Sequence, residues 1–158
     1  MPEQKQPRSR KNKPQVPLRA RALRLLARRE YSRLELERRL ASFAENPEDI
    51  PELLDDFERR GWLSEHRVAE QVLASRRRRF GAQRIAHELR EKGLSDSVIA
   101  GARLQLQESE LDAARAVWMK KFGALPANAR DKARQMRFLQ GRGFSLDIIR
   151  RLLRDIED

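Results

Sequence analysis

Apolar residues recur at intervals of three and four along most of this chain. Ile50, Leu53, Leu54 and Phe57 form one stripe, and Val98, Ile99, Ala102 and Leu106 a second. Leu111, Ala114, Trp118 and Phe122 form a third, and Ile148, Ile149, Leu152, Leu153 and Ile156 a fourth. Such spacing gathers each set on one side of a 3.6-residue helix. Strand-type alternation persists nowhere. Val68, Ala69, Val72 and Leu73 mark the buried side of the helix running into "RRRRFG" (76–81), which places Phe80 near the core and Arg78 well away from it. Ser32 with Glu35 fits a capping box, and Gly61, Gly81, Gly93, Gly123 and Gly143 stand where helices are expected to end. The expected fold is all-α.

The same order of signals occurs three times. "ARREYS" (27–32), "RRRRFG" (76–81) and "MKKFG" (119–123) each close a helix with basic residues, then an aromatic, then Gly or Ser. A second helix follows ("LELERRLASF", "QRIAHELREKG", "KARQMRFLQGRGF"), and then a third ("DIPELLDDFERRG", "SDSVIAGARLQL", "SLDIIRRLLRDI"). The spacings from Tyr31 to Phe80 and from Phe80 to Phe122 are 49 and 42 residues, so the repeat is degenerate. Units of this size bury little alone and stack on their neighbours. The pattern therefore predicts three tandem three-helix repeats in an elongated curved array, over residues 17–63, 64–108 and 109–158.

Composition sharpens this reading. The 158 residues carry 37% charged and only 6% aromatic side chains, so each unit should have a thin core of Leu, Ile, Val and Ala. Residues 1–16 hold five basic residues, one acid and three prolines with little that is apolar, the composition of a disordered basic tail. The net charge of +11 lies in that tail and in the second and third units, because the ten basic residues of 17–63 balance ten acids. An excess of this sign selects a polyanion or an acidic protein surface as partner. With no cysteine there are no disulfides or zinc–thiolate sites, which suits a reducing, cytoplasmic setting. No apolar run is long enough for a membrane span.

Four arginines in a row cannot face one ligand, since successive helical residues lie about 100° apart. Each one taken singly also suits the negative end of a helix dipole. As a set they read differently. Arg28-Arg29, Arg78-Arg79 and Lys120-Lys121 recur at similar places in the three units. The candidate partner-facing or DNA-facing residues are Arg76, Arg77, Arg78, Arg79, Arg84, Arg90, Lys92, Lys120, Lys121 and Arg142, with Arg137 alongside. The helix over 48–58 is acidic instead, either pairing with nearby arginines or meeting a basic partner.

Catalytic patterns are missing. The two histidines, His66 and His87, belong to no HExxH motif, and "GRG" at 141–143 follows no strand. No phosphate loop or Ser-His-Asp relay is recognisable. Trp62 and Trp118 are expected as anchors between helices. We expect no enzyme, cofactor or metal.

"GWLSEHRVAEQVLASRRRRFGAQRIAHELREKGLSDSVI" (61–99) resembles the central repeat of the RecX regulatory proteins, and "FLQGRGFSLDIIRRLL" (138–153) is similar to that family's third-repeat Arg-Gly-Phe-Ser segment. The resemblance covers about residues 18–157. Ser64-Glu65 departs from the family's usual Asp pair, and Val68 stands where an aromatic is common. The resemblance implies a helical crescent that binds RecA and the RecA filament on single-stranded DNA; a monomer is the simplest reading of the chain. It would limit filament growth, ATP hydrolysis and strand exchange, restraining recombination and the SOS response. Carried residue by residue, it points to Arg76 to Arg79, Arg84, Arg90, Lys92 and Arg142. Two other classes stay open on the residues themselves, a direct binder of single- or double-stranded DNA and an adaptor using the acidic helix.

Overall fold

A computed structural model describes residues 16–158, so the expected tail lies outside the described residues but for Val16. Among the described residues the regular structure is all helical. The helices are α1 Leu18–Leu26, α2 Arg33–Leu40, α3 Asp49–Arg59, α4 Glu65–Arg76, α5 Ala82–Glu91, α6 Asp96–Gln107, α7 Glu110–Lys121, α8 Ala129–Gly141 and α9 Leu146–Glu157, with a 3-10 turn at Ala41–Phe43.

Short polar side chains start many of these helices. Ser32 and Glu35 form the reciprocal capping box at α2, and Ser64, Asn128 and Ser145 accept backbone N–H groups at α4, α8 and α9. Apolar side chains then fall on one side of each helix and meet in three separate cores. Leu36, Leu40, Leu54 and Phe57 centre the first, among α1 to α3. Val68, Ile85, Leu89 and Ile99 centre the second, among α4 to α6. Trp118, Leu139, Phe144 and Leu152 centre the third, among α7 to α9. A buried Leu or Phe contributes roughly 1.5–3 kcal/mol, so each thin core depends on a handful of side chains.

Most helix packing stays inside these groups, apart from α6 against α7. None of the described hydrogen bonds or ion pairs joins the first group to the third. The chain is a linear series with two junctions. At both, the turn between the second and third helices of one group lies on the start of the second helix of the group before it. A Cβ on Gly93 would meet Leu34, and one on Gly143 would meet Arg84.

Two expectations need correction. Gly61, Gly93, Gly123 and Gly143 do have positive φ after their helices, but Gly81 has φ −82° and begins α5. Its missing side chain serves close approach, because a Cβ there would lie 2.3 Å from the Gly143 carbonyl oxygen. Trp118 is a buried anchor whose Nε1 donates to Gln135 Oε1 at 2.8 Å. Trp62 is 38% exposed and leans on Phe57 at the surface instead.

Candidate functional site

The two junctions use equivalent positions with opposite charges. Ser32 caps α2 and Gly81 caps α5, and from those caps Glu35 and Arg84 occupy the same place, three residues on. Lys92 and Arg142 are likewise equivalent, each immediately before the turn glycine, Gly93 or Gly143.

At the first junction a carboxylate sits between two cations. Lys92 Nζ donates to Glu35 Oε1 at 3.0 Å, and Arg29 reaches Glu35 Oε2 at 2.6 Å while its guanidinium stacks 3.6 Å from the Tyr31 ring centre. Burial works to raise the Glu35 pKa, but hydrogen bonds from Arg29 and Lys92 outweigh it and hold the carboxyl below its ordinary value. Glu30 adds two links to α4: its N–H donates to Gln71 Oε1 at 3.0 Å, and its carboxylate accepts from Arg67 Nε at 3.0 Å.

At the second junction no carboxylate stands at the equivalent place. Arg84 lies 4.3 Å from the centre of the half-buried Phe80 ring and Arg142 5.2 Å from it, with Arg79 and Arg76 at 5.9 and 6.0 Å. Arg142 also lies 5.4 Å from the Phe138 ring, and Lys121 Nζ 5.3 Å from the same ring. Phe138 meets Phe122 edge-on at 5.4 Å, and Arg134 sits over Phe122 at the same distance. The result is a strip of cations separated by aromatic rings, running from α4 and α5 to α7 and α8. Ring faces attract cations, by about 0.5–1 kcal/mol at exposed sites, which lets so many like charges assemble with few anionic partners. Two of these cations have a carboxylate nearby: Arg134 has Asp131 at 2.9 Å, and Arg76 has Glu88 at 3.3 Å, across a shallow cleft of about 450 Å³ that His87 and Glu91 also line.

The backbone beneath this strip is fixed by the third group. The first N–H groups of a helix have no partner within it, and Gly81 offers no side chain to cap them. Gly81 N–H donates to the Arg142 carbonyl at 2.8 Å, Ala82 N–H to Glu110 Oε1 at 3.1 Å, and Gln83 N–H to the Gly143 carbonyl at 3.2 Å. Arg84 then reaches the Gly141 carbonyl at 3.3 Å. The α8–α9 turn and α7 together cap α5.

Of the sequence candidates, Arg76, Arg79, Arg84, Arg142 and Lys121 come together here. Arg77 turns away to donate to Ser109 Oγ at 2.9 Å, beside the start of α7. Lys92, with its side chain 18% exposed, is committed to Glu35 at the other junction. Arg78, Arg90 and Lys120 are exposed and form no described ion pair. Sequence reasoning missed Arg134 and the part played by Phe80 and Phe138 as spacers. The repeated basic–aromatic–glycine order was the available signal for Phe80. The two histidines are exposed, each about 3.5 Å from a glutamate one turn on. The acidic helix pairs internally in part: Asp55 and Glu58 with Arg33, and Asp56 with Arg19, Arg59 and Arg60. Asp55 chiefly raises the Arg33 pKa, and Arg19 chiefly lowers that of Asp56.

Comparison with known proteins assigns this architecture. The family model for the second three-helix domain of RecX matches residues 64–102, and that for the third matches residues 108–153. The chain belongs to the RecX family. It is 48% identical over 143 residues to the regulatory protein RecX of Leptothrix cholodnii, covering 90% of this chain and 91% of that one. It is 47% identical to that of Chromobacterium violaceum, covering 86% and 88%. The crystal structure of RecX from Lactobacillus salivarius superposes with a TM-score of 0.77 at 18% identity, over 89% of this chain and 94% of that one. Both junction glycines and most of the strip lie within the two matched RecX segments. The Ser64-Glu65 departure keeps a helix start: Ser64 caps α4, and Glu65 accepts from the N–H and Oγ of Ser95 at the head of α6, at 3.2 and 2.8 Å. No described helix is long and apolar enough to cross a membrane.

Proposed function

We propose that this chain is a cytoplasmic, non-catalytic regulator that binds RecA and the RecA filament on single-stranded DNA, and that it restrains filament growth, ATP hydrolysis and strand exchange. Its working division is a basic tail over 1–16 followed by units at 17–63, 64–108 and 109–158, acting as a monomer. One observation carries the reading. At the position where the first junction neutralises Lys92 with Glu35, the second holds Arg84 and Arg142 around Phe80 without a carboxylate. Concentrated like charge that its own fold does not neutralise is complementary to an acidic groove or a phosphate chain. A strip across two units suits an extended ligand better than a small one.

The test is RecA's single-strand-dependent ATPase, titrated with this protein well below one copy per RecA. Inhibition there supports action on filament growth. Arg84→Gln with Arg142→Gln should weaken it at least about tenfold, the scale of losing two charge-assisted contacts. No binding to RecA and no change in ATPase would reject the reading.

Direct binding to bare DNA is the second reading, favoured by the aromatic rings interleaved with the cations. It predicts affinity falling with salt at a log–log slope of about −0.7 per phosphate contact on single strands, and inhibition only once the DNA is coated. Removing residues 1–16 should weaken bare-DNA binding more than filament binding.

A further inference from the structure

The first unit has no net charge excess, yet it concentrates basic side chains in one place. Arg21, Arg24 and Arg28 form a ridge at helical spacing along α1 and just past its end, and Arg39 faces them from α2 across a cleft of about 350 Å³. None of these four has a carboxylate partner among the described residues. Elsewhere in the unit Arg19, Arg29, Arg33, Arg59 and Arg60 each pair with an acid. The floor of the cleft is apolar, built from Leu25, the edge of Leu40 and Phe43, which stays 50% exposed.

We infer that this cleft is a second docking site, for an acidic amphipathic segment of a partner protein that lays carboxylates along the arginine ridge and an apolar side chain against Phe43. Charge complementarity selects an anionic occupant. The apolar floor and a ridge of one-turn spacing select a helix seated in a groove, with anchors at i, i+3 or i+4 and i+7. A single strand of nucleic acid fits less well. Binding of that kind rests on aromatic faces open for base stacking, and the Arg21 guanidinium already covers one face of Phe43 at 3.9 Å. The site stands apart from the Phe80 strip, which lies in the second and third units.

Fluorescence anisotropy on the full-length chain tests this, with a labelled peptide carrying Leu at i, i+3 and i+7 flanked by Glu and Asp. The competitors are a scramble of the same composition and an oligo-dT of equal charge. The full-length chain should bind the patterned peptide at least about tenfold more tightly than the scramble. Arg24→Glu with Arg28→Glu should abolish that preference, and Phe43→Ser should reduce it severalfold. Arg84→Gln with Arg142→Gln should leave it unchanged, which separates this site from the proposed function. Melting curves for each variant check the fold, and these positions are exposed enough that substitution should leave it intact. Equal binding of patterned and scrambled peptides, or none, overturns the inference. So does oligo-dT displacing the peptide and losing its own binding in the Arg24/Arg28 variant, which would make the cleft a nucleic-acid site. Concentration-dependent self-association abolished by the same variant would also overturn it, by assigning the cleft to a second copy of the chain.

Discussion

Glu35 with Lys92 and Arg84 with Arg142 fill the same places at two successive junctions, and the molecule does different things with them. The first junction is closed by polar side chains. Its turn glycine faces the Leu34 side chain rather than backbone, and its opposite charges meet at 3.0 Å. The second is closed mainly by backbone, with side-chain bonds from Glu110 and Arg77 beside it. Its turn supplies two carbonyls to the unpaired N–H groups of α5, and Gly81 and Gly143 allow an approach that no Cβ would permit. Because the backbone holds the second junction, its side chains need not neutralise each other. Four guanidiniums around one phenylalanine are compatible with a fold secured beneath them, and the charge of Arg79, Arg84 and Arg142, which no described carboxylate meets, remains available to a partner.

Breaking the second junction should have the largest effect. Gly143 has φ +90°, and a Cβ there would fall 2.3 Å from the Arg84 Cβ and 2.7 Å from its backbone nitrogen. Gly143→Ala combines left-handed strain with overlap against backbone, so urea unfolding should show a loss of about 3 kcal/mol. Gly93→Ala, at φ +77° against a side chain whose Cδ2 can yield, should cost about half as much. Equal losses would mean that the two junctions are not built differently.

Gly81→Ala comes next. Its φ of −82° suits any residue, so the expected loss of about 2 kcal/mol comes from the collision with Gly143 alone. Gly101→Ala, inside α6 with open space around it, is the control and should gain about 0.5–1 kcal/mol.

The first junction should respond to Glu35→Gln by about 1–2 kcal/mol, from weakened bonds to Arg29 and Lys92. It should also respond to acid. The Glu35 pKa is lowered in the folded chain, so its contribution is complete above the unfolded value near 4.3. The contribution is lost as pH falls through the lower folded value. The protection factor of the Glu30 amide, bonded to Gln71 across that junction, should therefore fall in acid, and less so in Glu35→Gln.

The smallest effect on stability is the most telling for function. Arg84→Glu would place a carboxylate opposite Arg142, copying the first junction into the second. Thermal unfolding should show a gain of about 0.5 kcal/mol, as expected for an exposed pair, while the proposed inhibition of RecA's ATPase should decline. A variant that is more stable and less active would separate the charge of the strip from any structural duty.

Much of this was legible in the chain itself. The all-α class, the threefold order of basic run, aromatic and small residue, and the Ser32–Glu35 capping box follow from short-range geometry, because helical periodicity and caps act over three or four residues. The family resemblance was carried by segments that include both junction glycines. Part of the site was legible too, since Arg79, Arg84, Arg142 and Lys121 were candidates from charge and repetition. What could not be read was which cations the fold would neutralise. Lys92 and Arg142 have the same look in sequence, each basic and each before a turn glycine, and their partners lie 57 and 62 residues away at Glu35 and Phe80. Gly81 misled for a related reason. A glycine after an aromatic resembles a helix end, whereas its role is set by the Gly143 carbonyl arriving from another unit.

The sequence by itself determined where most helices begin and stop, which side of each is apolar, and that positive charge exceeds negative beyond residue 63. Those properties depend on neighbours within a turn or two of chain, and the residue types state them directly. Only the tertiary structure decided that one junction is sealed by an ion pair and the other by backbone. That outcome depends on how close two turns approach, and it is this closeness that leaves Arg84 and Arg142 beside an aromatic ring with no carboxylate at the place Glu35 fills.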